Sequence, residues 1–448
     1  MREKLKNEIR ENVKKINTAE TKFTSVLEYK TLARGNVWSD AIQAAMDEKK
    51  SVYIPDMGGE IVLDSAIIMD GGCNLKVEKN QKIRIDESVN TCMVRNRNVA
   101  AGNHQYTEQL SPDEYITVSG GVWTTSGNKR CSNDKHNTII GSWGIFDFSN
   151  VNHLNISDVS FEDSTSYAIH IGNCHDFWVD NIYFSNYHKD GIHINGPTKY
   201  GIISNISGSD LGDDLIAMNA WDWYRAAITF GSIENVLVEN VAGDNNEFRL
   251  LTGRKIYGNK TTHDCAIRNC VFENITGIYT FKLYYQPNCC NVNYKSRFDS
   301  AENVGEMENI FFKNVSFPKL RESGFNNIPI YGLFDILSDI TNIEFEDISV
   351  AHSLSELDKM HIKLVSVGPI SATYKINDNP SDWGDFFEPD MCCTCRDIRF
   401  KNISFDGKCE TDKDNIIREV HQKINPDYPN TTPRGGTGFG RIENVTVE

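Results

Sequence analysis

One phrase recurs along the chain and limits what it can fold into. It reads "VNHLNISDVSFEDS" from residue 151, "HDFWVDNIYFSNY" from 175, "IENVLVENVAGDN" from 233 and "DCAIRNCVFENITG" from 264. It returns as "MENIFFKNVSFP" from 307, "ITNIEFEDISV" from 340, "CRDIRFKNISFDG" from 395 and "RIENVTVE" from 441. Each copy is two short apolar alternations joined at an Asn or Asp, with a repeat of about 20 to 30 residues. Alternate apolar positions turn one strand face inward, and Asn or Asp suits a tight left-handed bend. No single copy can bury its apolar face, whereas stacked copies pair strand on strand and close a continuous core.

The spacing therefore predicts an all-β chain, a single-stranded right-handed parallel β-helix. A helical reading fails because the apolar period is two. The 448 residues exceed the roughly 250 to 300 that one globular core accommodates, and a fold that grows lengthwise removes the difficulty. Several copies contain Asn-x-Ser/Thr, as at Asn155, Asn274 and Asn444, which read as bend residues followed by strand hydroxyls.

The ends differ from the middle. Residues 1 to about 30 are charged and helix-compatible, and "DAIQAAMDE" predicts a helix from Asp40 to Glu48. Residues 1–49 are thus expected to form an N-terminal helical cap, and residues 50–448 the β-helix domain. Breaks in the repeat at about 285–306, 351–390 and 410–440 read as long loops, where a rigid stack builds its binding walls.

Composition narrows the partners. A formal net charge of −16 and a pI near 5.2 oppose nucleic-acid binding. No run of about 18 apolar residues predicts a membrane span, and the basic N-terminus lacks the apolar core of an export signal. A cytoplasmic protein is expected. Its twelve cysteines include adjacent pairs unsuited to simple bridges, and they read as small buried hydrophobes. The "CCTC" at 392–395 lacks the paired spacing of a structural zinc site, so neither metal nor cofactor is expected. Oligomerisation through loops stays open.

Against this regular background Asp190, Asp213 and Asp214 stand out. Asp190 and Asp213 lie about one coil apart, so successive coils should bring three carboxylates together, where at least one must keep its proton. One carboxylic acid can protonate a glycosidic oxygen while a carboxylate activates water, and inversion calls for a separation of about 6.5–9.5 Å. The same oxygens can instead hold Ca²⁺ in a lyase or epimerase acting on a uronate. A solvated acidic ladder on a noncatalytic carbohydrate-binding β-helix is the third reading.

Residues 166–232 resemble the catalytic region of the polygalacturonases, glycoside hydrolase family 28. The family's Asn-Thr-Asp-Gly falls at His188, Lys189, Asp190 and Gly191, and its Gly-Asp-Asp stands intact as Gly212-Asp213-Asp214. The resemblance implies that Asp213 is the general acid, that Asp190 and Asp214 position and deprotonate water, and that His170 is the family's strand His. Its Gly-His-Gly falls at Arg225, Ala226 and Ala227, with no His. Its Arg-x-Lys clamp falls at Arg249 and Leu251, leaving Arg254 or Lys255 to supply the second cation. The departures point away from strict polygalacturonate specificity and toward a related oligosaccharide.

Other residues compete for the site wall. Strand alternation puts His188 on the face of Asp190 and turns His193 away from it. Trp221 and Trp223 offer flat faces to a sugar ring, or to the core, and so does Tyr224. Tyr284 and Tyr285, near Lys282, are weaker candidates. With long inserts to close one side of a groove, the expected activity is an inverting, exo-acting glycosidase on short oligosaccharides.

Overall fold

The computed structural model describes residues 1–16, 22–99, 111–127, 144–220, 228–229, 231–257, 261–285, 306–321, 330–368, 372–375, 383–386, 392–423 and 437–448. Most of these residues are β-strand, and the strands pair in parallel with their counterparts one repeat later. One continuous ladder runs Leu154, Phe177, Gly201, Val236, Cys270, Ile310, Ile343, Ile398, Val445. A second runs Phe146, Ile169, Ile192, Ile216, Phe248, Phe281, Phe334, Val365, Ile417. Every residue of the second ladder is buried, so the coils share one interior.

The bends are where the sequence puts them. Asn205, Asn240, Asn274 and Asn314 all have φ between 51° and 59°, in the left-handed region. Side-chain amides link them coil to coil: Asn240 donates to Asn205 (3.1 Å), Asn274 to Asn240 (3.0 Å) and Asn314 to Asn274 (2.7 Å). A parallel ladder joins Asn235, Asn269, Asn309 and Asn342. Asn tolerates positive φ and its amide carries both a donor and an acceptor, so one residue type makes the bend and ties it to the next. Asn274 and Asn444 are bends as expected, with φ of 58° and 56°. Asn155 is not: it pairs in register with Trp178, and the left-handed positions of its coil are His153 and Asp158.

The two N-terminal helices do different things. Helix α2 (Ser39–Lys49) packs on the first coil, with Ala41, Ile42, Ala45 and Met46 in the main core. Helix α1 (Arg2–Val13) instead lies along the flank, its Leu5, Ile9 and Val13 packed with Ile202, Leu237, Val271 and Phe311 of successive coils. Ion pairs from Arg2 to Glu344 (2.7 Å) and Glu346 (2.5 Å), from Lys6 to Glu273, and from Arg10 to Glu239 (2.7 Å) fix it across the strands.

Two of the expected loops contain parts of the stack. Within 351–390 a short helix α3 (Leu354–Lys359) precedes the strand Lys363–Val367, which pairs in parallel with Gly332–Leu337. Within 410–440 the strand Ile417–Glu419 continues the same ladder. The interval 286–305 lies outside the described residues. Cys73, Cys92, Cys174, Cys270 and Cys395 are free and buried, and Cys393 and Cys395 of the "CCTC" run are core residues with fully buried side chains. Among the described residues no helix is long and apolar enough to cross a membrane.

Candidate active site

The second ladder alternates inward apolar residues with an outward row whose register runs Asp147, His170, His193, Ala217, Arg249, Lys282, Asp335, Ser366. The three aspartates lie at the upstream end of this row. Asp190 precedes the strand Ile192–Asn195, and Asp213 and Asp214 open the strand Asp214–Asn219. Ile192 pairs with Ile216, so it is Asp214, not Asp213, that occupies the position of Asp190 one coil later. The Gly191 N–H donates to the Asp214 carbonyl (2.9 Å), locking the two turns together. A side chain at Gly191 would meet the Leu215 carbonyl at 2.7 Å, which explains the glycine.

One carboxylate oxygen from each of Asp190, Asp213 and Asp214 lies within 4.8 Å of the others. That is shorter than the separation anticipated for an inverting pair. Asp190 and Asp214 are fully buried, while the Asp213 side chain keeps 11% of its surface exposed. Arg249 reaches over from the next coil, its Nη2 2.6 Å from Asp214 Oδ2 and 3.4 Å from Asp213 Oδ1. Oδ1 of Asp190 and of Asp214 has no hydrogen-bond partner among the described residues.

This packing sets the protonation states. Burial first, and then the negative charge of Asp190, push the Asp213 carboxyl up to about 7, although Arg249 pulls it down. Burial also drives Asp214 well above the usual range, against Arg249 and with help from Glu247, Asp190 and Asp213. The cluster therefore holds a proton near neutrality, as a general acid requires.

Glu247, the register partner of Asp214, forms the next layer. Its carboxylate takes Lys282 Nζ at 2.5 Å and the Tyr279 hydroxyl at 2.6 Å. Burial opposes its ionisation, but Lys282 and then Arg249 hold its carboxyl below the ordinary value. Asp335, one coil beyond Lys282, is buried and pushed up to about 6 by burial, with the Ser366 hydroxyl donating to it at 2.6 Å.

The structure sorts the expected site residues. Asp190, Asp213, Asp214 and Arg249 converge. Leu251, at the position of the expected second cation, is a core residue with no exposed surface. His170 is fully buried and cannot touch a ligand; its Nε2 lies 2.8 Å from Asn195 Oδ1 and its Nδ1 3.0 Å from Asp147. His188 is exposed. His193 overturns the alternation argument: it is buried with Nδ1 2.5 Å from Asp190 Oδ2. The strand begins only at Ile192, so the turn at Asp190-Gly191 resets the parity. Trp221, Trp223, Tyr224 and Arg225 lie outside the described residues, as do the side chains of Arg254, Lys255 and Tyr285. Tyr284 is half-buried against the core.

Sequence reasoning missed Lys282 as a site residue, and also Glu247, Tyr279 and Asn195. A signal for Lys282 was available: "FRL" at 248–250 and "FKL" at 281–283 are the same strand one coil apart. As for a metal, three carboxylates are available, but an arginine already neutralises the cluster, and Ca²⁺ takes six to eight oxygens.

No protein-family model and no curated protein sequence matches the chain. Among solved structures it is similar to an exopolygalacturonase from Thermotoga maritima, at 14% identity and a TM-score of 0.52, covering 100% of this chain and 96% of that one. It is also similar to a tailspike protein of E. coli bacteriophage HK620, at 11% identity and a TM-score of 0.51, covering 95% of this chain and 67% of that one. At such identities the likeness is one of fold, and both neighbours are right-handed β-helix proteins.

Proposed function

We propose that this protein is a right-handed parallel β-helix that hydrolyses a glycosidic bond in an oligosaccharide, with Asp213 as general acid and Asp190 and Asp214 activating water. The observation that carries the reading is the unequal exposure of three close carboxyls. Asp213 and Asp214 are both raised, but only Asp213 reaches the surface, with its carboxyl at about 7. A proton donor must meet the leaving oxygen and still hold its proton at working pH.

Asp190 and Asp214 have no exposed surface. An anomeric carbon cannot come within bonding distance of such a carboxylate, so neither is placed to act as a nucleophile. The buried pair therefore suits water activation, and with it inversion, despite a separation shorter than inverting enzymes commonly show. Water attacks the anomeric carbon and gives a proton to the Asp190–Asp214 pair; the C–O bond breaks, and Asp213 protonates the departing oxygen. Arg249 holds Asp214 in place and offsets the charge.

The arrangement supports a polygalacturonase-type enzyme with altered specificity, because no lysine occupies the position of Leu251. Exo action on short oligosaccharides is part of the proposal. Coil spacing is 23 residues before the site and between 33 and 55 after it, which provides chain for a wall on one side of a groove.

The test is incubation with a panel of neutral and uronic-acid oligosaccharides, following products by proton NMR. The expected result is a single sugar or disaccharide released from the start, with inverted anomeric configuration and no effect of EDTA. An unsaturated, ultraviolet-absorbing product that depends on Ca²⁺ would instead establish a lyase. Binding of glycans without turnover would establish a binding protein.

A further inference from the structure

Behind Asp190 runs a chain of buried polar groups that the hydrolytic roles above leave unused. It passes from Asp147 through His170, Asn195 and His193 to Asp190, across neighbouring coils, and all five residues are fully buried. We infer that Asn195 is a positioning residue that fixes the tautomer of His193, so that His193 donates from Nδ1 to one oxygen of Asp190 and leaves the other as the proton acceptor. The inference rests on the reading of Asp190 as part of the base.

The argument starts from two backbone groups. Asn195 Nδ2 is 3.1 Å from the Asn219 carbonyl, and the Ile228 N–H lies 3.1 Å from Asn195 Oδ1. A carbonyl only accepts and a peptide N–H only donates, so the amide has one orientation. Two consequences follow for the histidines. His170 Nε2, 2.8 Å from Asn195 Oδ1, must carry a hydrogen. His193 Nε2 faces the Nδ2 groups of both Asn195 and Asn219 at 3.5 Å, so it must be bare. A neutral imidazole bare at Nε2 carries its hydrogen on Nδ1, and that atom is 2.5 Å from Asp190 Oδ2.

The ring cannot turn away from this arrangement. Tyr167 stacks on His193 with centroids 4.1 Å apart and planes within 13°, and His170 meets it edge-on at 4.9 Å. At the far end, His170 Nδ1 lies 3.0 Å from Asp147 Oδ1, without the geometry of a hydrogen bond. Asp190 Oδ1 is left without a hydrogen-bond partner among the described residues, on a carboxylate whose other oxygen is held. The titratable groups around the Asp190–His193 pair are Tyr167 and His170 on one coil, Tyr187 beside the turn, and Asp213, Asp214 and Arg249 on the following coils.

The test combines a spectroscopic readout with a pH profile. Long-range proton–nitrogen correlation on histidine-labelled wild-type protein should show His193 protonated at Nδ1 and bare at Nε2; the opposite tautomer overturns the proposal, whether or not the protein is active. In the kinetic arm, His193→Asn keeps a donor where Nδ1 stood, whereas His193→Gln moves it to where Nε2 stood. Loss of a donor to the charged carboxylate should move the acid limb of kcat/KM up by about one to two pH units in His193→Gln and His193→Leu. His193→Asn should stay within about half a unit of wild type. An Asn variant shifted as far as the Gln variant also overturns the proposal. A wild-type protein that cleaves no glycan defeats the hydrolase reading alone, and the nitrogen spectrum then decides the tautomer by itself.

Discussion

At the scale of single residues, the site is a place where stability yields to chemistry. Asp213 titrates at about 7 in the fold against 3.8 for an ordinary aspartate. The native state therefore binds its proton more tightly than the unfolded chain, so the contribution of Asp213 to stability is greatest below pH 3.8, falls as pH rises toward 7 and is level above that. Asp213→Asn removes this dependence while conserving shape. The variant is expected to lose glycosidic turnover by at least about 10³-fold and yet to be more stable than wild type at pH 8, by on the order of 2 kcal/mol. The gain should vanish near pH 4, and thermal melts at the two pH values check it. Arg249→Met should do the reverse, lowering stability at pH 8 by about 3 kcal/mol, since it strands Asp214 without its 2.6 Å partner. The carboxylates themselves were legible in the sequence, because residue types and a one-coil spacing are enough to bring them together. The role of His193 was not, because parity holds only inside a strand and the Asp190-Gly191 turn interrupts it.

At the scale of elements, the Asn bends carry two burdens that can be separated. Asn240 sits at φ 59° and exchanges side-chain hydrogen bonds with Asn205 below and Asn274 above. Asn240→Gly keeps the backbone conformation and loses only the ladder, whereas Asn240→Ala also introduces left-handed strain. The expected losses are about 1 kcal/mol for Gly and about 2–3 kcal/mol for Ala, read from urea midpoints. Equal losses would mean that strain contributes nothing. Helix α1 makes a second test. Removal of residues 1–16 uncovers Ile202, Leu237, Val271 and Phe311, takes Lys6 from Glu273 and Arg10 from Glu239, and leaves Glu346 with Lys401 and Lys313 only. A lower melting temperature and self-association in light scattering are expected. The bends were legible because Asn and Asp are nearly alone among non-glycine residues in accepting positive φ; Asn155 escaped because Asn-x-Ser fits a strand equally well. The placement of α1 was not legible. Its apolar stripe says that it packs, but its site on the flank depends on glutamates spread over several coils, which no local pattern connects.

At the scale of the whole molecule, the question is whether so long a stack behaves as one body. Its interior is continuous, and a file of rings runs through the middle: Phe272, Phe312, Phe345 and Phe400 stack with centroids 4.8, 5.6 and 5.1 Å apart. Phe312 also meets Phe281 at 5.2 Å and Phe334 at 4.7 Å, so both ladders converge on this ring. In a solenoid each coil packs on its neighbours, and cooperativity is passed along through such interfaces; here α1 adds a second link that crosses several coils. Phe312→Ala should cost about 3–5 kcal/mol, concentrated at one interface. Coils on the C-terminal side would then be held to the rest by a weakened contact and by the Arg2 ion pairs of α1, while those on the N-terminal side keep α2 and the intact stack. Hydrogen exchange is expected to show the strands Asp339–Val350 and Cys392–Phe405 losing protection well before Gly144–Glu162, with urea unfolding spread into two transitions. Uniform loss of protection across all three strands would show that the stack unfolds as a single unit despite its one-dimensional wiring. In that case the Asp cluster, upstream of Phe312, should lose activity together with global unfolding; in the expected case activity outlasts the C-terminal transition.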